Sequence, residues 1–431
     1  MPTPAIPMLL AAADPGPSDA LITNPAAVLG ILLVILAVVF QTERHPTIGR
    51  FYRVVPALLL CYFIPGLLST AGIVADEGGR LYHVASRYLL PACLVMLTMS
   101  ADLPGILRLG PKMLMVFLAA TAGVIIGAPL AVLLVGTISP ETVGGADADA
   151  VWRGLSTVAG SWIGGGANQA AMREVFQPSD DLFGATVAVD IIVANIWMGV
   201  LLWMAGSNAR IDRLFKADRT ALDALNARLA TVEAQSPPRP ASTTDLMTIC
   251  AIGFAATGIA SLLGGSLAGW FETTQPWSAR FSLTSGFFWL VVMATTIGVL
   301  LSFSKPVRGL ESAGAGRLAT VFLYLLVATI GLEMDLLAIG ERPGLFAIGL
   351  VWIGIQAVFV LTTTILLRAP IFFAAVGSQA NIGGAASAPV VAAAFDPRLA
   401  PVGVLLAVVG YALGTYGAWL AAQLMRVASG G

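Results

Sequence analysis

Apolar residues run along the chain in twelve blocks: 24–41, 54–74, 84–101, 113–136, 153–176, 182–205, 246–270, 281–303, 318–334, 345–367, 370–395 and 400–424. Within each block they occupy all faces of a helix, the pattern of helices immersed in lipid. The period-2 alternation of a membrane β-strand is absent. One long polar stretch, 206–245, interrupts the series. It opens NARIDRLFKADRTALDALNARLATVEAQ and closes SPPRPAS. Ile211, Leu214, Leu222, Leu225, Leu229 and Val232 recur at helical spacing, which predicts an amphipathic helix and then a Pro-rich joint. A solvated connector is the first reading; a membrane-surface or dimer contact is the second.

The polar stretch separates two halves that repeat. Ile163-Gly164-Gly165-Gly166-Ala167 through Phe176-Gln177-Pro178 aligns without gaps on Ile382-Gly383-Gly384-Ala385-Ala386 through Phe395-Asp396-Pro397, and a Gly-Ser pair lies nearby in both (Gly160-Ser161, Gly377-Ser378). Upstream, MSADL at 99–103 resembles GLEMDL at 331–336, each followed by a Gly/Pro pair. Two matches in the same order read as a duplication, a mark of secondary transporters. The expected organisation is a tail (1–23), a first transmembrane repeat (24–205), a cytoplasmic linker (206–245) and a second repeat (246–425).

Charge placement sets the expected orientation, because Lys and Arg gather in cytoplasmic loops. Arg44, Arg50 and Arg53 mark one such loop, Arg108 and Lys112 a second, Lys305, Arg308 and Arg317 a third. The basic residues of the linker, from Arg210 to Arg239, read the same way. The acidic loop with Glu141, Asp147 and Asp149 then falls outside, with the N-terminus. Twelve simple crossings contradict this, since six from an outside start leave the linker outside. Making 153–176 and 370–395 re-entrant hairpins, broken at their glycines, removes the conflict. Half a hairpin of eight to ten residues reaches about the middle of a ~30 Å hydrocarbon core. The expected fold is an all-α integral membrane protein with two inverted-topology repeats, about ten transmembrane helices and two Gly-broken hairpins. The alternative keeps both segments as crossing broken helices.

Composition agrees with this class. The 431 residues are 57% apolar and 11% charged, with net charge −1, where soluble proteins carry about 25% charged residues. No basic field exists for nucleic acid. Cys61, Cys93 and Cys250 lie inside apolar blocks and read as filler. With only His45 and His83, a histidine metal site or a catalytic triad is not expected. Paired intramembrane aspartates and a Ser/His dyad are missing too, so no enzyme is expected. The first residues lack a basic n-region and make a poor signal peptide.

The Gly-rich breaks carry the candidate chemistry. A break strands backbone groups at a cost of several kcal/mol unless protein or a wet cavity satisfies them. Helix-packing glycines would not explain the polar side chains crowded there. The candidate substrate-binding residues are Ser161, Gly164, Gly165, Gly166, Asn168, Gln169, Ser378, Gln379, Asn381, Gly383, Gly384 and Ser387. A half-helix starting near Gly166 or Gly384 presents free N–H groups and partial positive charge to an anion, and the half-helix before it presents carbonyls to a cation such as Na⁺.

Asp190 lies eight residues into block 182–205, where a carboxylate is expensive and marks function. It reads as a Na⁺ ligand, a titrating proton carrier or a helix–helix hydrogen bond. Asn195, at i+5 and about 140° round the helix, faces the same side only loosely; the two form the candidate ion-coupling set. The repeat pairs them with Val409 and Gly414, so an ion site there is asymmetric. Glu333, Asp335 and Asp102 read as water-facing and Gln356 as packing glue. Tyr411, Tyr416, Trp419, Trp197 and Trp203 suit interface anchoring first and cavity lining second; Arg426 suits snorkelling.

At SWIGGGANQAAM, and at SQANIGGAASAPVVAAAF followed by VVGYALGTYGAWL, the chain resembles the family catalogued as domain of unknown function 819, multi-pass membrane proteins of bacteria and plants. The likeness covers most of 24–424. The paired Gly-rich hairpins also resemble the citrate/sodium symporter type of the cation–proton antiporter and anion transporter group. That likeness implies hairpins that bind substrate and Na⁺ and slide as an elevator. It carries over only to Ile163–Asn168 and Ser378–Ser387; a Gly-Gly-Asn-Gly run and a matching substrate arginine are not found. The expected function is a secondary active transporter for a small carboxylate-type anion, coupled to Na⁺ or H⁺. It sits in the cell (inner) membrane, as a homodimer, with no cofactor beyond Na⁺. A channel or membrane receptor is the alternative.

Overall fold

Helix starts follow the local chemistry. Asn24 accepts from the N–H groups of Ala26 and Ala27 and caps α1, Pro25–Glu43. Ser242 and Asp245 form a reciprocal capping box at the start of the long helix Thr243–Thr274. Pro111 opens another helix, where a missing N–H costs nothing. The computed structural model describes residues 20–53, 55, 57–76, 79–101, 106, 107, 109–220, 222, 240–333, 342–396 and 399–430.

After α1 come α2 (Ala57–Thr70), α3 (Arg80–Met99, with a π turn at Ala85–Leu89), α4 (Pro111–Ile138), α5 (Val151–Phe176), α6 (Asp180–Gly206) and a short α7 (Asn208–Leu214). The second half holds α8 (Thr243–Thr274), α9 (Gly286–Ser302), α10 (Ala315–Glu333), α11 (Gly344–Leu366), α12 (Ile371–Ile382), α13 (Gly384–Phe395) and α14 (Ala400–Ala428). Among the described residues the only β pairing is an isolated bridge, Ile22 to Val74. Among the described residues, eight helices (α1, α3, α4, α6, α8, α10, α11, α14) are long and apolar enough to cross a bilayer. The protein is an all-α, multi-pass membrane protein. Two of the ten expected crossings, α2 with 14 residues and α9 with 17, are shorter, and they hold corresponding places in the halves.

Packing is exchanged between the halves. α2 packs on α10 and α9 on α3; α1 touches α10 and α8 touches α3; α4 lies along α11. The result is two groups of helices. One contains α1–α3 and α8–α10. The other contains α4–α6 and α11–α14, with α14 against α5 as its most extensive contact.

Both Gly-rich segments double back. Within α5 the backbone leaves helical geometry at Gly164 and Gly165. Gly160 then lies so close to residue 168 that a Cβ on it would sit 2.7 Å from the Asn168 carbonyl carbon. At the other end of the segment the Trp152 and Phe176 rings meet at 5.6 Å. The second segment breaks at Gly383 and Gly384. There Gln379 donates to Ser387 at 2.6 Å, and the Phe372 and Phe395 rings meet at 5.3 Å. With Ile163 set on Ile382, an offset of 382 − 163 = 219, the pair Gly160/Asn168 maps onto Gln379/Ser387. Hairpin 1 is therefore α5 folded on itself, and hairpin 2 is α12 with α13.

The bases of the hairpins lie at opposite ends of α4. Val151 donates to Gly144 just past the C-terminal end of α4. At its N-terminal end Lys112 pairs with Asp218 at 2.9 Å, and Asp218 N–H donates to the Arg368 carbonyl at 2.7 Å. Thr220 first, then Lys112, hold the Asp218 carboxyl well below its usual range. Asp212 of α7, buried, accepts the Ile371 N–H at 2.8 Å and so caps α12. Here the linker differs from expectation. The helix through Ile211 and Leu214 ends, and Lys216 takes φ +51°. Leu225, Leu229, Val232 and most of the Pro-rich joint lie outside the described residues, as do Asp102, Arg108 and Asp335.

Cysteines at Trp152 and Phe176, in a chain whose three native cysteines are replaced by serine, should be joined by a short bifunctional thiol reagent. A straight helix would hold them about 36 Å apart, so absence of the cross-link, read by mass spectrometry, would rule out the hairpin.

Candidate functional site

The two hairpin tips meet on one aromatic ring. Tyr411 of α14 is buried. Its hydroxyl accepts the Ala385 N–H at 3.3 Å, from the first turn of α13. A Cβ on Gly165 would lie 3.2 Å from the Tyr411 ring, and one on Gly384 would lie 3.4 Å from its hydroxyl. Gly165 has φ +69° and Gly384 φ +56°, backbone that a side chain would strain. At the preceding residue, a Cβ on Gly410 would sit 2.7 Å from the Ile163 carbonyl oxygen. Small residues on α14 thus let both breaks approach.

Asn168 secures the first tip. Its Nδ2 donates to the Gly164 carbonyl at 2.9 Å and to the Tyr411 carbonyl at 3.2 Å, and its Oδ1 accepts from Thr415 at 2.8 Å. Asn381 does similar work in hairpin 2. It donates to the Gly377 and Phe117 carbonyls and accepts from Thr121 at 2.7 Å. Ser378 Oγ accepts from Trp197 and from Gln356, each at 2.8 Å. Gln356 is glue, as its isolation in an apolar block suggested.

Asp190 lies beside tip 1 and is 3% exposed. Trp162 Nε1 donates to its Oδ1 at 2.6 Å and Gln169 Nε2 to its Oδ2 at 2.8 Å. Gln169 Oε1 in turn accepts from the Tyr62 hydroxyl of α2 at 3.3 Å. These partners are neutral, and no ion pair involves Asp190 among the described residues. Asn195 does not join it; its Nδ2 donates to the Ile191 carbonyl of its own helix.

A cavity of about 570 Å³ opens above the tips, within the range of small-molecule sites. Ser161, Gly165, Gly166, Asp190, Asn195, Gln379, Gly383 and Ser387 line it. The other six candidates, Gly164, Asn168, Gln169, Ser378, Asn381 and Gly384, stand behind the lining. Met198 and Leu202 of α6 form one wall, and Glu43, Tyr52 and Tyr324 lie among the lining residues of the other helix group. From Asp190 to Leu202 the cavity follows α6 toward the end that carries α7 and the base of hairpin 2. The lining residues described include two carboxylates and no Lys, Arg or His. Among the described residues no group of three or more His, Cys, Asp and Glu is placed to hold a metal ion.

Some placements differ from expectation. Glu333 does not simply face water. It pairs with Arg173 of hairpin 1 at 2.6 Å, while the same Arg173 nitrogen reaches Asp180 at 2.7 Å. Tyr411 and Trp197 are buried in the hairpin group rather than anchored at an interface; Trp203 is 65% exposed. Tyr62, Trp162, Thr415, Glu43 and Tyr324 escaped sequence reasoning. Each sits in an ordinary apolar or loop context, and only folding brings it to the tips or the cavity.

Gly410→Ala should cost roughly 1–3 kcal/mol by overpacking and lower the midpoint of thermal unfolding in detergent. Gly258→Ala, where nothing lies within 4 Å of the new Cβ, should leave it unchanged or raise it.

An uncharacterized membrane protein of Bacillus subtilis (strain 168), YjcL, is 23% identical over 362 residues, covering 81% of this chain and 85% of that protein. The family described as "Protein of unknown function (DUF819)" matches residues 30–428, from α1 to the end of α14 and across both hairpins, and the chain belongs to that family.

Proposed function

We propose that the protein is a secondary active transporter. It moves a small carboxylate-type anion together with Na⁺ or H⁺ by elevator-like alternating access. Asp190 carries this reading. A buried carboxylate whose partners are all neutral donors is an uncompensated charge in a low-dielectric interior, at a cost of several kcal/mol. A cation that binds there, or a proton that neutralises it, removes the cost. Asp190 is thus the coupling residue, and the ion it takes up stabilises the occupied carrier.

The substrate's negative end sits at the hairpin tips. The half-helix starting at Gly166 offers free N–H groups and partial positive charge to the cavity. Gly383 and Ser387 bring the second hairpin to the same space. The apolar wall of Met198, Leu202 and Ile191 suits a solute with a hydrocarbon part. The hairpin group is the moving body, and the group with α1–α3 and α8–α10 is the frame that meets lipid and a second copy of the chain. In the orientation given by the basic loops, the mouth beside Glu43 and Gly49 lies on the cytoplasmic side, so this conformer is the inward-facing one. Nothing in this reading calls on enzymatic chemistry.

Purified protein in liposomes should take up a labelled short carboxylate faster with an inward Na⁺ or H⁺ gradient than without. Asp190→Asn should weaken the dependence on that ion at least about tenfold, or about 1.4 kcal/mol. Wild-type ion dependence in Asp190→Asn would remove Asp190 from the mechanism, and flux that persists after ionophores collapse the gradient would indicate a channel.

A further inference from the structure

Hairpin 1 packs against α3, α9 and α10 of the frame. On its second arm, Gln169 and Arg173 are four residues apart and share a face. Gln169 meets Tyr62 of α2. Arg173, 6% exposed, meets Glu333 of α10 and lies against the Tyr82 ring of α3 at 4.7 Å. Its neighbour Glu174 pairs with Arg87 of α3 at 3.2 Å. Hairpin 1 is thus pinned to the frame at two levels, one of them a single residue away from Asp190, while α14 of the same group bonds α9 separately through Thr415–Thr295 and Tyr416–Thr296.

The Gln169 amide has two distinct ends, and Asp190 decides which way they point. An ionised carboxylate only accepts hydrogen bonds. It therefore takes the NH₂ group of Gln169, as the 2.8 Å contact records. The amide oxygen is then left facing the Tyr62 hydroxyl, which donates to it. A cation on Asp190 competes for the same carboxylate lone pairs, and a proton turns one oxygen into a donor. Either change removes the reason for the amide's orientation; a cation draws the carboxylate away from the amide, and a turned amide would need the Tyr62 hydroxyl to accept rather than donate across a contact already long at 3.3 Å, so the contact to α2 weakens. The charged or titratable groups around Asp190 are Tyr62 from α2, Arg173 one turn along the hairpin, and Glu43 and Tyr324 on the same cavity.

We infer that Tyr62 and Gln169 are positioning residues that couple occupancy of Asp190 to movement of the hairpin group: an empty, charged Asp190 holds hairpin 1 against α2, and a cation or proton on Asp190 lets it go. This deepens the transport reading and rests on it. It assigns the Tyr62–Gln169 bond the task of slowing the ion-free carrier, so that the return of the empty carrier, which symport requires, becomes the slow half of the cycle. Arg173 and Glu174 then act as the outer fastening, which opens only after the inner one has loosened.

The test uses the full-length protein in detergent, with hydrogen–deuterium exchange of the arm 166–176 followed by mass spectrometry. Wild-type protein is compared in 150 mM NaCl and in choline chloride, and at pH 5.5 and 7.5. After correction for the slower intrinsic amide exchange at the lower pH, exchange in the arm should rise severalfold in Na⁺ or at pH 5.5. In Tyr62→Phe the arm should exchange at the raised rate throughout, with less than a twofold response. Gln169→Met, of similar shape and without the amide, should behave the same way. A purely structural bond would raise exchange in both variants and leave the ion response intact. A full wild-type response in either variant, or a wild-type arm indifferent to both Na⁺ and pH, would overturn the inference. Ion-driven uptake in liposomes judges the transport reading separately: uptake by a protein whose arm does not respond leaves transport standing and removes the Tyr62–Gln169 link.

Discussion

Everything near the centre of this protein follows from one constraint: backbone polar groups cannot be left bare in a lipid-embedded interior. Two helices are broken there, and each break strands carbonyls and N–H groups that cost several kcal/mol if unpaired. The fold answers with side chains. Asn168 ties the Gly164 and Tyr411 carbonyls together, Asn381 ties those of Gly377 and Phe117, and Tyr411 receives the Ala385 N–H. Because both breaks pack against Tyr411 of α14, they come together at one place. The glycines on α14 are the geometric condition for this, since a Cβ at Gly410 would collide with a hairpin carbonyl.

The same constraint explains what could be read from the chain alone. Hydrophobic blocks located the helices, because lipid exposure leaves a signal on every face. The doubling back of 151–176 was legible through charge parity and through the repeat that aligns Ile163 with Ile382. The crowd of Asn, Gln and Ser around the breaks was legible too, but its meaning was mixed. Ser161, Gln379 and Ser387 reach the cavity, whereas Asn168, Asn381 and Ser378 are spent on internal hydrogen bonds. Both uses call for the same residue types, so type and spacing could not separate them.

Other features depend on tertiary contact and leave no local mark. Tyr62 lies in an apolar run like any other, yet it meets Gln169 more than a hundred positions away. Glu333 ends a helix, where water exposure is the ordinary fate of a carboxylate. Its pairing with Arg173 exists only because hairpin 1 folds back beside α10. Asn195, which an offset of five sets only loosely on the side of Asp190, lines the same cavity, but its amide bonds its own backbone rather than the carboxylate.

The link between Asp212 and Ile371 has an evolutionary consequence. A duplicated half is in principle a subunit of its own, and two separate genes could encode a pair. Here the first half, through α7, supplies the cap that α12 lacks in its own half. Without α7, hairpin 2 would begin with an unsatisfied N–H, and without hairpin 2 the buried Asp212 would keep only its ion pair with Arg219. The linker helix α7 is therefore part of the stability of hairpin 2, and any split of the chain would have to leave α7 able to reach Ile371.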